Sequence, residues 1–429
     1  MSVRRINQFG AIKSAPVEIW KEIFDHVLHD PLVFETNPFY PGCNLHSALH
    51  EWNYSPRFRK LERQRGVLRL VSRSWKALAD ATRHRYFQFC RCKDPVQRLL
   101  LSSLAFRLEY GSCWDVCGCT WLSHDYGAVR DGDFGDVRRY VTKKALNVQI
   151  LEFGEVEAKL ARRTSRNIKA ICPELKALVI VVDEWVIKHF NGLFNNLKYL
   201  YLRVHGNDGA SRHQDQGIRC AVTLFITTLQ LEISSFDSPT FMEDWNLPVL
   251  EHLIIKSSHW VQGLDSILQN NSQRLLSLHI DVKHNYVDLP ADVWAQAPSL
   301  MYCGLTATYP EEPLTAPHPG HPIHTLGMLE VETPELRKEF IELIRDWKSI
   351  STIADCHTWA EMPEEYDPFR PAEGFDHTHD ESNPPCWRCV QALHAVCLDR
   401  GLEYEDHAGI TYNAFLKQTT DRSGSNNPS

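Results

Sequence analysis

Apolar residues recur along this chain in the frame apolar-x-x-apolar-x-apolar, which is met eight times between residues 148 and 328. Successive frames begin 27, 22, 29, 24, 25, 25 and 23 residues apart. The last two apolar residues of each frame are two positions apart, so that both lie on one side of a short strand. The spacing between successive frames indicates repeating units, each made of one strand and one segment that leads back to the next strand. The frames are Val148/Leu151/Phe153, Leu175/Leu178/Ile180, Leu197/Leu200/Leu202, Ile226/Leu229/Leu231, Leu250/Leu253/Ile255, Leu275/Leu278/Ile280, Leu300/Cys303/Leu305 and Ile323/Leu326/Met328.

The segments between the frames support this interpretation. Three of them, Asp183–Phe194, Gly263–Asn271 and Asp292–Ala297, carry the apolar spacing of short helices. Prolines stand just before three of the predicted strands, where a missing N–H removes no ladder hydrogen bond. These prolines are Pro173, Pro248 and Pro298.

A period of this length is the signature of leucine-rich repeats. We therefore expect an α/β fold in which residues 146–356 form a leucine-rich-repeat-like solenoid with a mainly parallel sheet. The alternative is another kind of α/β domain whose parallel strands happen to look repetitive.

The frame also predicts which side chains face away from the core. Residues that alternate with the framed ones line the concave face of a solenoid, where tyrosine, histidine and paired charges suit protein recognition. Any solenoid exposes such a row, so its presence alone does not establish a binding site. The residues predicted to line this face, and to form any recognition surface on it, are Tyr199, Tyr201, Arg203, Gln230, Glu232, His252, Lys256, His279, Asp281 and Tyr302.

A short amphipathic helix is predicted near the start of the chain. Ser14 is a suitable N-cap, Pro16 fits the first turn, and Glu18 complements the positive end of the helix dipole. Its apolar stripe comprises Ile19, Trp20, Ile23, Phe24 and Val27. A second helix is predicted over about 65–81, where Leu68, Val71, Trp75 and Leu78 fall on one face.

These helices define a predicted N-terminal unit at 14–89, interrupted by an irregular insertion at 31–64 that is long for a loop within a compact unit. A short basic helix from Ser55 is the alternative for the end of this insertion. Further boundaries follow from changes in composition and period. We expect a helical and irregular transition at 90–145, helical over Val96–Tyr110, an acidic proline-rich linker at 357–385, a helical tail with Cys and His at 386–418, and a disordered end at 419–429.

Charge is distributed unevenly along the chain. Residues 1–110 contain 18 Lys and Arg against 10 Asp and Glu, whereas the whole chain has a net charge of −8. Ten of the basic residues fall between Arg57 and Arg85. A solvated helix face is the simpler explanation, and an acidic partner is the alternative. No nucleic-acid partner is expected, because exposed aromatic residues do not interleave with these charges and the chain is acidic overall.

Composition and hydropathy indicate an intracellular protein, cytoplasmic or nuclear, with no membrane partner. No uncharged apolar run approaches the roughly 20 residues that a bilayer helix needs, and Arg4, Arg5 and Lys13 interrupt the first stretch after Met1. The 13 cysteines are spread along the chain. In a reducing compartment we expect most of them to be buried thiols rather than disulfides.

Two cysteine and histidine clusters are candidate metal sites. A Cys-x-x-Cys pair can place two thiolates on one tetrahedral ion, but neither cluster matches a familiar zinc spacing. We expect packed thiols and no metal or cofactor, with zinc as the alternative. The clusters comprise His377, His379, Cys386, Cys389, His394 and Cys397, and Cys113, Cys117, Cys119 and His124.

The sequence offers no catalytic arrangement. It contains no glycine-rich phosphate loop, no His-Glu-x-x-His helix and no Gly-x-Ser-x-Gly turn. The paired carboxylates Glu364 and Glu365 lie in the predicted linker, where nothing would perturb their acidity. We therefore expect a protein that is not an enzyme.

Residues of the two N-terminal helices resemble an F-box, the helical element by which substrate receptors dock on the adaptor of a ubiquitin ligase. The matching positions are Pro16, Glu18-Ile19, Ile23-Phe24 and Val71-Ser72-x-x-Trp75, about a tenth of the chain. Ala15 stands where the family usually has leucine, Ser72 where cysteine is commoner, and the insertion at 31–64 is atypical. The arrangement is similar to F-box-like proteins with leucine-rich repeats that are abundant in mushroom-forming fungi.

The resemblance implies a non-catalytic substrate receptor of an SCF-type cullin–RING ubiquitin ligase. A Skp-family adaptor would be its partner, and an unknown protein substrate would bind the repeat surface. The implied adaptor-binding residues are Pro16, Ile19, Ile23, Phe24, Val71 and Trp75. The alternative is a leucine-rich-repeat interaction scaffold whose N-terminal helices only cap the solenoid.

Overall fold

The structure is a computed structural model, which describes sixteen parts of the chain. The described residues are 15–37, 55–88, 104–110, 147–156, 168–170, 172–183, 195–205, 222–233, 244–257, 264–282, 292–306, 316–329, 347–355, 359, 387–406 and 409–424.

A twelve-stranded sheet runs through the molecule, and every neighbouring pair of its strands is parallel. Its order follows the chain, with β6 and β8 forming a separate two-stranded parallel sheet. The fold is therefore mixed α/β with a solenoid built on a parallel sheet. The strands are β1 Tyr86–Gln88, β2 Arg107–Tyr110, β3 Ile150–Val156, β4 Ala177–Asp183, β5 Tyr199–His205, β6 Val222–Thr223, β7 Thr228–Ile233, β8 Trp245–Asn246, β9 His252–Ser257, β10 Ser277–Val282, β11 Tyr302–Thr306, β12 Thr325–Leu329, β13 Thr352–Asp355 and β14 Glu403–Glu405.

The register of the sheet confirms the repeat frame. The middle framed residue of each unit lies opposite that of the next, so that identical positions form a ladder across β3 to β12. The members of this ladder are Leu151, Leu178, Leu200, Leu229, Leu253, Leu278, Cys303 and Leu326. They belong to one continuous buried cluster, in which each full burial of such a side chain contributes roughly 1.5–3 kcal/mol.

A tight turn recurs before the strands and explains the prolines. In three units the amide of the first framed leucine donates to the carbonyl three residues earlier, at N–O distances of 3.1–3.2 Å. Proline follows the accepting residue in each, which is the turn position that its fixed φ suits. The three bonds are Leu175 to Cys172, Leu250 to Leu247 and Leu300 to Ala297.

The sheet extends beyond the predicted solenoid limits of 146–356 at both ends. Leu108 of β2 and Phe87 of β1 continue the ladder on one side, and Tyr404 of β14 continues it past Ile353 on the other. The helix predicted for Val96–Tyr110 is wrong at its C-terminal end, because residues 107–110 pair with β3. A four-residue strand carries too little alternation to be distinguished from a helix turn by spacing alone.

The C-terminal residues are packed into the same core rather than forming a separate tail. Trp359, at the start of the predicted linker, is 2% exposed, and its indole N–H donates to Ile410 O at 2.7 Å. Asp406 accepts from the amides of both Trp359 and Ile410. Cys397 and Tyr404 also belong to the solenoid cluster. This C-terminal segment covers the last strands, as a terminal capping unit must.

Eight helices are described, four of them before the first strand. They are α1 Val17–Val27, α2 Pro31–Phe34, α3 Ser55–Val71, α4 Arg73–Ala81, α5 Leu264–Asn271, α6 Val293–Gln296, α7 Trp387–Asp399 and α8 Tyr412–Gly424. Of the three predicted returns, those at 263–271 and 292–297 contain helices α5 and α6, whereas residues 184–194 of the third lie outside the described residues. None of the helices that the structure describes is long and apolar enough to cross a membrane.

The helix predicted over 65–81 is in fact two helices, and the first begins at Ser55, so the end of the predicted insertion is helical. Ser72 is extended, with φ −163° and ψ 166°, and its hydroxyl accepts from the amide of Trp75 at 3.1 Å. A serine N-cap of this kind starts α4 and ends α3. Apolar spacing continues across the break, which is why the sequence pattern predicted a single element.

Glycine at 327 is required by the close approach of an aromatic ring. A Cβ there would overlap Tyr302 Oη, lie 2.9 Å from its Cζ and 3.3 Å from the Cα of Gly304. Tyr302 is only 2% exposed, so its ring has no open space to enter. We expect Gly327→Ala to lower the free energy of unfolding by about 1–3 kcal/mol, measured by urea denaturation.

Gly66 provides the matched control for this substitution. It lies inside α3, and a Cβ there would meet no atom within 4 Å. Gly66→Ala should therefore stabilise the protein by roughly 0.5–1 kcal/mol through helix propensity. Equal losses from the two variants would contradict the packing role of Gly327.

Candidate docking face and repeat surface

The N-terminal helices are joined by a small aromatic core. Trp75 of α4 contacts Trp20 and Phe24 of α1, with ring centroids 5.3 and 5.2 Å apart. Leu68 of α3 packs against the same cluster, as do Leu28, Leu78 and Ala79. Burial of this core fixes α1 and α3 against α4, and it leaves an adjoining face of α1 and one of α3 without a partner among the described residues.

The outward faces of α1 and α3 are apolar and exposed. On α1 the exposed residues fall at i, i+4 and i+8, and on α3 at i, i+3 and i+4, so each set forms a continuous patch. We call these two patches together the docking face. Its members and their exposed fractions are Ile19 45%, Ile23 42% and Val27 44% on α1, with Val67 64%, Leu70 87% and Val71 56% on α3.

The structure divides the predicted adaptor-binding set into two groups. Pro16, Ile19, Ile23 and Val71 are exposed. Phe24 is 2% exposed and Trp75 is half-buried, so these two hold the helices together beneath the docking face. Val67 and Leu70 were missed, although their spacing on the side of α3 opposite Leu68 could have identified them.

Arg65 fastens α3 to the chain that follows α4. Its guanidinium is 4% exposed and donates to Ala79 O at 2.6 Å, to the Thr82 hydroxyl and to His84 O. Glu62 lies 3.3 Å away and supplies the counter-charge. A buried arginine with this many acceptors orients α3 and α4 relative to the first strand.

Six of the ten predicted substrate-binding residues are buried. Tyr199, Tyr201, Gln230, His252, His279 and Tyr302 are all 8% exposed or less. These six lie at the first or third residue of their strands, whereas the remaining four lie at the fifth residue of theirs. The open part of this face is therefore narrower than the sequence pattern predicted.

Cross-strand contacts account for part of this burial. The Tyr199 hydroxyl donates to Gln230 Oε1 at 2.6 Å, and His252 Nδ1 lies 2.8 Å from Ser277 Oγ. Tyr302 lies over the strand positions of Gly304 and Gly327. The N-terminal insertion contributes as well, since Asn37 contacts the Thr228 hydroxyl at 3.2 Å.

A buried ionic cluster joins the insertion to the sheet. Arg107 is fully buried, donates to Val33 O at 3.0 Å and to Glu152 through Nε at 2.7 Å, and lies 4.3 Å from the Phe58 ring centre. Burial raises the pKa of Glu152, and the charge of Arg107 opposes that shift. One side chain thereby links α2, α3, β2 and β3.

The half-buried row consists of charges that alternate in sign from strand to strand. Arg203, Glu232, Lys256 and Asp281 are successive partners on β5, β7, β9 and β10. Neighbouring strands lie about 4.8 Å apart, close enough for such charges to interact. Arg203 and Glu232 form an ion pair at 2.9 Å. These four remain the accessible members of the predicted substrate surface.

The described members of the C-terminal Cys/His cluster, His394 and Cys397, lie on α7 and each has packing contacts of its own. Cys397 is fully buried in the core, and burial raises its thiol pKa to about 12. His394 stacks on Tyr412 at a centroid distance of 4.5 Å. A buried neutral thiol is a poor zinc ligand. No group of three or more potential metal ligands occurs among the described residues.

The other predicted ligands fall outside the described part of the chain. His377, His379 and Cys386 are not described, nor is the side chain of Cys389, and the same is true of Cys113, Cys117, Cys119 and His124.

Removal of Arg107 should be far more costly than removal of a half-buried arginine. In Arg107→Met, Glu152 keeps a buried carboxylate without its counter-charge, and Val33 O loses its donor. We expect a loss of about 3–5 kcal/mol in the free energy of unfolding, and partial recovery in Arg107→Met/Glu152→Met.

Arg203→Met is the control for this experiment, because the Arg203–Glu232 pair is about 30% exposed on both sides. Its expected cost is at most ~1 kcal/mol. Urea denaturation measures all three variants. Equal costs for the two single substitutions would contradict the central role assigned to Arg107.

His252 should make the stability depend on pH. Burial lowers its pKa from about 6.5 to about 4, so the folded state resists a proton that the unfolded chain takes up below pH 6.5. The contribution is complete above about pH 6.5 and is lost as pH falls towards 4. The free energy of unfolding should fall by up to ~1.4 kcal/mol per pH unit in this window.

Chemical denaturation between pH 7 and 4 tests this expectation. His252→Gln should flatten the slope of stability against pH, and replacement of the exposed His318 by glutamine should leave it unchanged. A slope that is the same in wild type and His252→Gln would refute the assignment.

No protein-family model matches the chain, and no curated protein matches it. The F-box resemblance therefore depends on the matching helical residues, and the function it implies is a proposal.

Proposed function

We propose that this protein is a non-catalytic substrate receptor, which docks on a Skp-family adaptor through its N-terminal helices and recruits a protein substrate to an SCF-type cullin–RING ubiquitin ligase. The observation that carries the proposal is the docking face. Six aliphatic side chains between 42% and 87% exposed lie on two helices that share one aromatic core. Exposed apolar patches on a well-packed scaffold mark sites of protein association.

The resemblance assigns the same residues to the adaptor. Ile19, Ile23 and Val71 match apolar positions of the F-box pattern and belong to the docking face. Phe24 and Trp75 match as well, and their packing provides the rigid support that such an interface needs. A preorganised face loses little conformational entropy on binding.

The insertion at 31–64, which is atypical of the F-box pattern, would connect the docking face to the solenoid in this proposal. Val33 and Phe34 pack against Phe58 and Leu61 beneath the sheet edge, and Arg107 binds the Val33 carbonyl. The docking face is thus joined to the solenoid by a buried contact. A receptor of this design would hold its substrate at a fixed distance from the adaptor.

Substrate recruitment is assigned to the repeat surface. Of the predicted residues, Arg203, Glu232, Lys256 and Asp281 retain exposure, and they form a mixed-charge row across four strands. Such a row favours a partner with its own alternating charges over a strongly acidic or basic one. The buried tyrosines and histidines would support this row.

The alternative is an interaction scaffold in which the N-terminal helices only cap the solenoid. The packing of α2 and α3 near β1 and β2 is what a cap requires. A cap does not, however, require an exposed apolar face on the side away from the sheet. Terminal capping units usually present a polar outer surface, so the docking face favours the receptor.

Binding to a purified Skp-family adaptor tests the proposal. We expect wild type to bind, and we expect Ile23→Asp/Leu70→Asp to weaken binding by 100-fold or more, because each change places a charge in an apolar contact. Both side chains are exposed, so the melting temperature should change little.

Leu398→Asp is the matched control, since Leu398 on α7 is 61% exposed and lies far along the chain from the docking face. It should bind the adaptor like wild type. Absence of binding by wild type in isothermal titration calorimetry would refute the receptor function, and an unchanged affinity of the double variant would refute the assigned face.

A further inference from the structure

The helical segment that carries half of the docking face is strongly basic. Residues 55–88 contain ten Lys and Arg against two Asp and Glu, in a chain whose net charge is −8. Some of these cations are neutralised within the molecule. Arg69 and Arg85 pair with Asp80 at 3.2 and 3.5 Å, and Arg65 pairs with Glu62.

Other cations of this segment point into solvent. Lys60, Arg63, Arg73 and Lys76 are exposed, and none of them forms an ion pair with a residue that the structure describes. They do not hold the fold together. Their charge is available to a partner.

Two of these cations continue the apolar patch of α3. Spacings of three and four residues place these two cations and the apolar patch on one ridge of α3, on the side opposite Phe58. The ridge consists of Lys60, Arg63, Val67, Leu70 and Val71. The ridge is basic at its start and apolar at its end. Arg73 and Lys76 lie on α4, beyond the apolar end.

The α1 side of the docking face has a different charge. Glu18, Glu22 and Asp25 are exposed on the helix that carries Ile19 and Ile23. An anionic membrane or a nucleic acid would be repelled by these carboxylates while it was attracted to α3. A folded protein, by contrast, can present an acidic region to the basic helix α3 and a less acidic region to the acidic helix α1.

We infer that the partner of the docking face presents an acidic patch to Lys60 and Arg63 of α3, beside an apolar groove that receives Val67, Leu70 and Val71. This inference rests on the proposed function and specifies the surface chemistry of the adaptor. Apolar contact supplies the affinity, and the cationic ridge accelerates association and fixes the orientation of the complex.

Association kinetics of the full chain with a purified Skp-family adaptor test this inference. We expect Lys60→Glu/Arg63→Glu to reduce the association rate constant roughly tenfold or more at low salt, with a smaller change in dissociation. The difference should vanish near about 0.5 M salt, where exposed charges are screened.

Lys169→Glu/Lys198→Glu makes the same change in net charge at exposed positions outside the N-terminal helices, and it should associate at the wild-type rate. Equal slowing by both variants would overturn the inference, because net charge alone would then be responsible. Wild-type rates for Lys60→Glu/Arg63→Glu would overturn it too, while adaptor binding itself upheld the proposed function. If wild type bound no adaptor, both would fail.

Discussion

The rest of this structure depends on one constraint, the common register of the parallel strands. Each repeat turns into its strand at the same point, so the middle framed residues from Leu151 to Leu326 fall on one line. A shift of one residue in any unit would reverse its faces and expose its apolar side chains. The turns with proline after the accepting carbonyl hold that register from one unit to the next.

The common register also aligns the residues on the other face of the sheet, the one that points away from the apolar core. On this face, polar and aromatic residues of neighbouring strands form cross-strand hydrogen bonds, among them those of Tyr199 with Gln230 and of His252 with Ser277. Glycines at 304 and 327 leave room for Tyr302. Of the predicted residues, those from Arg203 to Asp281 remain accessible, so the proposed recognition surface is reduced to a mixed-charge row.

Arg107 connects this solenoid to the N-terminal helices. Its bonds to Val33 and Glu152 join the insertion, the long helix α3 and two strands in one buried contact. The docking face on α1 and α3 is consequently carried by a helical unit that is anchored in the sheet. Proposed adaptor binding and proposed substrate binding thus take place on one connected framework, although they use chemically different surfaces.

The sequence by itself determined the repeat, its period and the residues that form the core, because a ladder buries the same positions in every unit. It also determined the first helix. Tertiary structure decided the rest. Burial of Tyr199 or His279 depends on what lies across the strand, and no local pattern records it. Phe24 is buried and supports the helix packing, whereas its neighbour Ile23 is exposed, and this difference depends on the position of α4. Short strands such as β2 and β14 were invisible, since their pairing partners rather than their own alternation define them.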